Sequence, residues 1–139
     1  MTHVLVIDDQ ADVRAMICIV LRLNHFEVAD AASAAAGLKM FEQSAFDVAI
    51  VDIFLQDANG LDVIAAMRKK IPDFPVVAIS GMPSFDTASH SAEQLGVVCL
   101  RKPFRPNDLL GAIEAARRLS RPADTGASLT TNSLAAGAG

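Results

Sequence analysis

The sequence contains no tryptophan and no tyrosine, and only two of its 139 residues are cysteine. Cys18 and Cys99 stand far apart in apolar surroundings, without the close spacing of metal-binding cysteines, and read as reduced thiols with packing roles. No apolar run approaches the ~20 residues that span a bilayer. The N-terminus also lacks a basic segment leading into an apolar stretch. Neither a membrane span nor a leader is expected, and a cytoplasmic location is the simplest reading. Basic charge is in deficit: 12 Lys and Arg against 16 Asp and Glu give a net charge of −4, which offers nucleic acid or an anionic membrane no electrostatic footprint. His3, His25 and His90 share neither the spacing nor the carboxylate partners of a zinc site. No repeat is visible beyond an alternation of strand and helix patterns.

What the chain does have is apolar residues, 52% of the total, enough to core one domain of this length. Short β-branched runs at residues 4–7, 26–29, 48–51, 76–79 and 97–100 read as strands buried on both faces. Between them, Val13, Ile17, Val20 and Leu21 recur at helical spacing, as do Leu61, Ile64, Ala65 and Arg68 less regularly. Ser33 and Ser84 suit the N-caps of the second and fourth helices, and Asn59 or the Gly60 turn starts the third. Parallel strands require crossover helices, and right-handed crossovers wind this series into an α/β, doubly wound five-stranded parallel sheet flanked by five helices, in strand order 2-1-3-4-5. Residues 1–119 are expected to form this domain. Residues 120–139, rich in Ala, Gly, Ser and Thr with Pro122 near their start, are expected to be a disordered tail.

Ligands of such sheets lie beyond the carboxyl ends of the strands, so the residues there carry the functional signal. The first strand runs into Asp8 and Asp9, the third ends at Asp52, the fourth at Ser80 and Gly81, and the fifth shortly before Lys102 and Pro103. Three converging carboxylates repel one another unless a cation sits among them. Mg²⁺, which prefers a few oxygen ligands with water and a phosphate, suits the set, with Mn²⁺ as an alternative. With the metal in place, one carboxylate can attack phosphorus to form an aspartyl phosphate. Lys102 can then neutralise the phosphoryl oxygens, the Ser80 hydroxyl can donate to another of them, and Gly81 leaves room beside them.

In order and placement these stretches (Val4-Leu5-Val6-Ile7-Asp8-Asp9, Val51-Asp52 with Gly60, Ile79-Ser80-Gly81, Lys102-Pro103-Phe104) resemble the response-regulator receiver domains of two-component signalling, whose fold is flavodoxin-like. The resemblance implies Asp52 as phosphoacceptor, Asp9 as a direct metal ligand, Asp8 as an outer organising carboxylate and the Phe54 backbone carbonyl as a further ligand. It implies Ser80 as switch hydroxyl, Lys102 as phosphoryl-binding lysine and Pro103 as a cis-proline. It also implies a histidine kinase or histidine phosphotransfer protein as donor, and a downstream protein target met through the fourth helix, fifth strand and fifth helix. Such a domain is a signalling phosphoacceptor that catalyses its own phosphorylation and dephosphorylation, not an enzyme with a separate substrate. Since these residues hold no recognisable DNA-binding or enzymatic output, the chain is expected to stand alone, docking on another protein or draining phosphoryl groups.

Three positions depart from the family pattern. Gln56 replaces a common proline four residues after Asp52, which predicts a looser loop. Arg105 is a poor N-cap before Pro106, leaving the last helix to begin loosely or on Asn107. Cys99 occupies the place of the switch aromatic and has no ring to swing. Rival readings fare worse. A haloacid-dehalogenase-type phosphatase needs a second acid where Phe54 stands, and a flavin binder needs a phosphate cradle where the chain is acidic, at Asp8-Asp9-Gln10-Ala11. A partner-binding domain without phosphoryl chemistry would have no use for the full set of Asp52, Ser80 and Lys102.

Overall fold

The sheet is parallel throughout, with strand order β2-β1-β3-β4-β5. The computed structural model describes residues 1–81 and 96–120. In chain order the elements are β1 (His3–Ile7), α1 (Ala11–Leu23), β2 (Glu27–Ala31), α2 (Ala34–Gln43), β3 (Val48–Asp52), α3 (Gly60–Lys70), β4 (Val76–Ser80), β5 (Val98–Arg101) and α4 (Pro106–Ser120). The helix expected between β4 and β5, with Ser84 and His90, lies outside the described residues, as does the tail beyond Ser120. Thus α4 is the helix that the sequence presented as the fifth.

Period-two alternation along the strands explains the two-sided wrapping. Leu5 and Ile7 of β1 point to one face, where they join Val51, Phe41 of α2 and Val63, Ile64 and Met67 of α3. Val4 and Val6 point to the other, with Ile50, Ile79, Ile17 and Leu21 of α1 and Leu109 and Ile113 of α4. Burial on both faces, expected of every strand, is complete only in β3 and β4 and nearly so in β1. The edge strands β2 and β5 are partly open because each has a neighbour on one side only. The inner face of α3 is Val63, Ile64 and Met67; of the expected Leu61, Ile64, Ala65 and Arg68, Ile64 lies on it, Leu61 and Arg68 are half-buried at its margin and Ala65 is exposed.

Helix ends follow local chemistry. Ser33 caps α2 by accepting from the Ala36 N–H, and Asn59 caps α3 by accepting from the Leu61 N–H. At the start of α4 the Arg105 N–H donates to Asp108 Oδ2 at 3.0 Å, so Asp108, rather than the expected Asn107, secures the turn behind Pro106. After α1 the chain closes a Schellman turn, with the His25 N–H donating to the Arg22 carbonyl and the Phe26 N–H to the Leu21 carbonyl. His25 takes the left-handed position with φ of 69°. His3 packs on Phe46 with ring centroids 4.4 Å apart. His3 begins β1 and His25 precedes β2, so neither is at the carboxyl edge of the sheet.

One glycine determines how closely α3 approaches β3. A Cβ on Gly60 would overlap the Asp52 carbonyl oxygen and lie 2.6 Å from Ile53 Cα, and both obstacles are backbone. The Gly60 N–H meanwhile donates to the Ile53 carbonyl at 2.7 Å. Gly60→Ala is expected to lower the folding free energy by ~2 kcal/mol, because backbone cannot turn aside as a side chain can. An unchanged urea midpoint would contradict this.

Candidate functional site

Four strand ends meet at one edge of the sheet. Asp8 and Asp9 follow β1, Asp52 is the last residue of β3, Ser80 the last of β4, and Lys102 follows β5. Carboxylate oxygens of Asp8, Asp9 and Asp52 lie within 4.8 Å of one another. Asp8 is fully buried, Asp52 is 4% exposed and Asp9 is partly open. The Lys102 ammonium stands against the buried pair, with Nζ 3.0 Å from Asp8 Oδ2 and 3.1 Å from Asp52 Oδ2. The Lys102–Pro103 peptide bond is cis, as the resemblance implied.

Local structure places each carboxylate. Asp8 Oδ1 accepts from the Gln10 N–H at 2.8 Å, turning the first residues after β1 around the carboxylate. Arg14 of α1 donates through Nη1 to the Asp8 carbonyl at 2.7 Å and through Nε to Asp30 Oδ2 at 2.8 Å, bracing that turn against the end of β2. Asp52 Oδ1 accepts from the Phe54 N–H at 3.0 Å, leaving Oδ2 to Lys102. Asp9 Oδ2 accepts from the Gln56 N–H at 3.0 Å. Gly81 makes room for the lysine stem: a Cβ there would be 3.3 Å from Lys102 Cβ. Ser80 is fully buried beside it, and its carbonyl accepts from the Lys102 N–H at 2.9 Å.

The electrostatics follow from burial. Loss of water raises the Asp52 carboxyl above its ordinary range, outweighing the Phe54 N–H and Lys102, which lower it, while Asp8 adds to the rise. Burial also works against the Lys102 ammonium, but Asp8 and Asp52 together push it above its usual value. Both groups are raised, which disfavours the charge of Asp52 and favours that of Lys102, because Lys102 faces two carboxylates while Asp52 shares one ammonium. The site therefore carries more negative charge than its single lysine offsets. Asp8 Oδ2 shows the same shortage: it is buried, accepts no hydrogen bond, and has the ammonium in ion-pair contact only. A divalent cation among these oxygens meets both needs, so the residues fit Mg²⁺.

A cavity of about 700 Å³ opens over this group, lined by Asp9, Gln10, Asp52, Phe54, Gly81 and Lys102 on the polar side and by Val13, Met16 and Phe104 beyond. All the site residues expected from sequence are at this edge except Cys99, which lies one strand position before Leu100 in β5, opposite Ala78, and packs against the core shared with α2 and α3. Sequence reasoning gave no role to Gln10, whose Oε1 accepts from Lys102 Nζ at 2.7 Å, nor to Arg14, Asp30 or Asp57. No spacing rule marks them, since each acts through a contact to another loop. The loop after β3, expected to be looser for want of proline, is tied at two points. The Gln56 N–H holds Asp9, and the Asp57 carboxylate accepts from the Ala34 and Ala35 N–H groups of α2.

Comparison with known proteins gives one consistent result. The family model for the response regulator receiver domain matches residues 4–114. A putative NtrX-like response regulator of Rickettsia bellii is 28% identical over 120 residues, covering 85% of this chain and 25% of that protein. The transcriptional regulatory protein PrrA of Mycobacterium bovis is 34% identical over 116 residues, covering 84% of this chain and 50% of that protein. This chain therefore spans between a quarter and a half of the length of these curated relatives. Among solved structures, a response regulator receiver domain protein from Clostridium thermocellum superposes with a TM-score of 0.78 at 29% identity, covering 85% of this chain and 95% of that one.

Proposed function

Because the chain belongs to the response regulator receiver domain family, we propose that Asp52 accepts a phosphoryl group from a phosphohistidine on a sensor histidine kinase or histidine phosphotransfer protein. The observation that carries this reading is Asp52 itself: a nearly buried carboxylate at a strand end, with one oxygen held by the Phe54 N–H and the other facing the Lys102 ammonium. In the transfer an Asp52 oxygen bonds to phosphorus, the P–N bond of the donor breaks, and the electron pair leaves with the imidazole, which takes up a proton. Lys102 shifts from the carboxylate to a phosphoryl oxygen, and the Ser80 hydroxyl donates to another. Mg²⁺, or Mn²⁺ in its place, would supply positive charge on the transferring oxygens. It would be held by Asp9, Asp52 and the Phe54 carbonyl, with Asp8 organising the shell. Hydrolysis of the aspartyl phosphate returns the domain to its starting state.

The domain unit in this reading is residues 1–119, with residues 120–139 an appended tail. The phosphorylated surface is read by a protein partner rather than by nucleic acid, through the face that includes β5 and α4. No helix among the described residues is long and apolar enough to cross a membrane.

The metal roles have a direct test. In a Mg²⁺ titration of the unphosphorylated protein, Asp9→Ala is expected to weaken binding about 10-fold or more, and Asp8→Ala to weaken it less. Equal or reversed effects would overturn the division into direct ligand and organiser.

A further inference from the structure

Of the three carboxylates, Asp9 is the one least held by its surroundings. Asp8 and Asp52 are buried and share the Lys102 ammonium. Asp9 is partly open to water and lies close to two like charges, so repulsion favours a rotamer that swings it into solvent. Its carboxylate is instead tied by the Gln56 main-chain N–H, 3.0 Å from Oδ2. That donor exists because residue 56 is not proline, which has no N–H to give.

The residue after the donor is anchored in turn. Asp57 Oδ1 and Oδ2 accept from the Ala34 and Ala35 N–H groups at 3.0 and 3.2 Å, and Ser33 Oγ accepts from the next amide, that of Ala36, at 3.1 Å. Three amides at the start of α2 are thus shared between a local cap and a carboxylate from the loop after β3. The two N–H groups hold the Asp57 carboxyl below its usual value, so the anchor is ionised at neutral pH.

We infer that the Gln56 main-chain N–H, braced by Asp57 on the N-terminus of α2, is the positioning group that keeps Asp9 turned into the metal-binding cluster. The inference rests on the metal-site reading above and extends it to two residues outside the proposed ligand set, Gln56 at the rim of the cavity and Asp57 behind it. Its effect is on readiness to bind: with Asp9 already turned inward, the metal does not have to gather a carboxylate from solvent against two like charges.

The test is a Mg²⁺ titration of the full chain followed by backbone amide NMR, with melting temperatures measured in EDTA to compare the folds. Gln56→Pro removes the N–H and is expected to weaken Mg²⁺ binding about 10-fold, the scale of lost support for a metal ligand. Gln56→Ala keeps the N–H and is expected to stay within about twofold of wild type on the same grounds. Asp57→Ala, at an exposed side chain, is expected to weaken binding about threefold in the wild-type background and to add nothing in the Gln56→Pro background, because its effect passes through the same N–H. Equal affinity of the Pro and Ala variants would overturn the inference. So would an Asp57→Ala protein that binds Mg²⁺ as wild type does, which decides the matter even where Gln56→Pro folds poorly. Failure of the wild-type protein to bind Mg²⁺ would remove the metal site itself, and is thereby distinct from failure of the positioning device.

Discussion

Asp52→Ala is expected to abolish hydroxylamine-sensitive phosphoryl labelling, whether the donor is a phosphorylated histidine kinase or a small phosphodonor. An attacking carboxylate needs three things at once: an oxygen able to reach phosphorus, a metal to share the phosphoryl charge, and a cation that leaves the carboxylate as the bond forms. Asp52 meets all three, at the mouth of the cavity, within the carboxylate cluster and 3.1 Å from Lys102 Nζ. Asp8 has the ammonium but is fully buried, and it does not line the cavity. Asp9 lines the cavity but is engaged by Gln56 rather than by Lys102. No neighbour can therefore take over, and the expected loss is to background. Removing a nucleophile costs far more than removing a donor, which is worth ~10²–10³ in rate. Hydroxylamine-sensitive labelling of the variant at an undiminished rate would sink the assignment.

Asp52→Asn is expected to retain the fold and to melt higher than wild type in EDTA. Burial raises the Asp52 carboxyl, which means that the folded protein disfavours its charge. A neutral isostere removes that cost. A lower melting temperature would show that the Lys102 contact outweighs burial.

The sequence was most legible where one pattern had one cause. The strands β1, β3 and β4 lie within a residue of where their apolar runs placed them, because a strand buried on both faces leaves few alternatives. The strand order followed from crossover handedness. The site was legible for the same reason: Asp8, Asp9, Asp52, Ser80 and Lys102 are each fixed by a strand end, and strand ends in a doubly wound sheet converge. What the sequence hid depends on side chains crossing between loops. The contact of Gln10 with Lys102 joins residues 92 positions apart, and that of Gln56 with Asp9 joins residues 47 apart. Arginine as N-cap suggested a loose start to α4 because propensity speaks only for the cap residue, whereas Asp108 supplies the acceptor from the first turn. The α3 face was misjudged because Leu61 and Arg68 have long side chains that are half-buried at the margin of the true apolar stripe.

Lys102→Met is expected to cost the metal-free protein about 3 kcal/mol of folding free energy, and Mg²⁺ is expected to restore most of it. Removing one partner of a buried ion pair typically costs ~3–5 kcal/mol, because the other is left charged and dry. Here two carboxylates are left: Asp8, whose side chain is 0% exposed, and Asp52, at 6%. Methionine keeps most of the stem that packs where Gly81 has no side chain, so the loss comes from charge rather than from packing. Mg²⁺ bound among the same oxygens would replace the missing positive charge, so saturating metal is expected to stabilise the variant more than it stabilises wild type. The pH dependence has a definite sign. Asp52 is raised by burial even with the ammonium beside it, and without the ammonium its folded value rises further above the unfolded one. The folded variant then binds protons more readily than the unfolded chain, so relative to wild type it regains stability as pH falls from that raised value toward the ordinary carboxylate range. Urea denaturation in EDTA and in excess Mg²⁺, at neutral and mildly acidic pH, separates these effects. A variant as stable as wild type in EDTA, or one whose deficit persists unchanged in Mg²⁺, would show that Lys102 does not hold the place of the metal's charge.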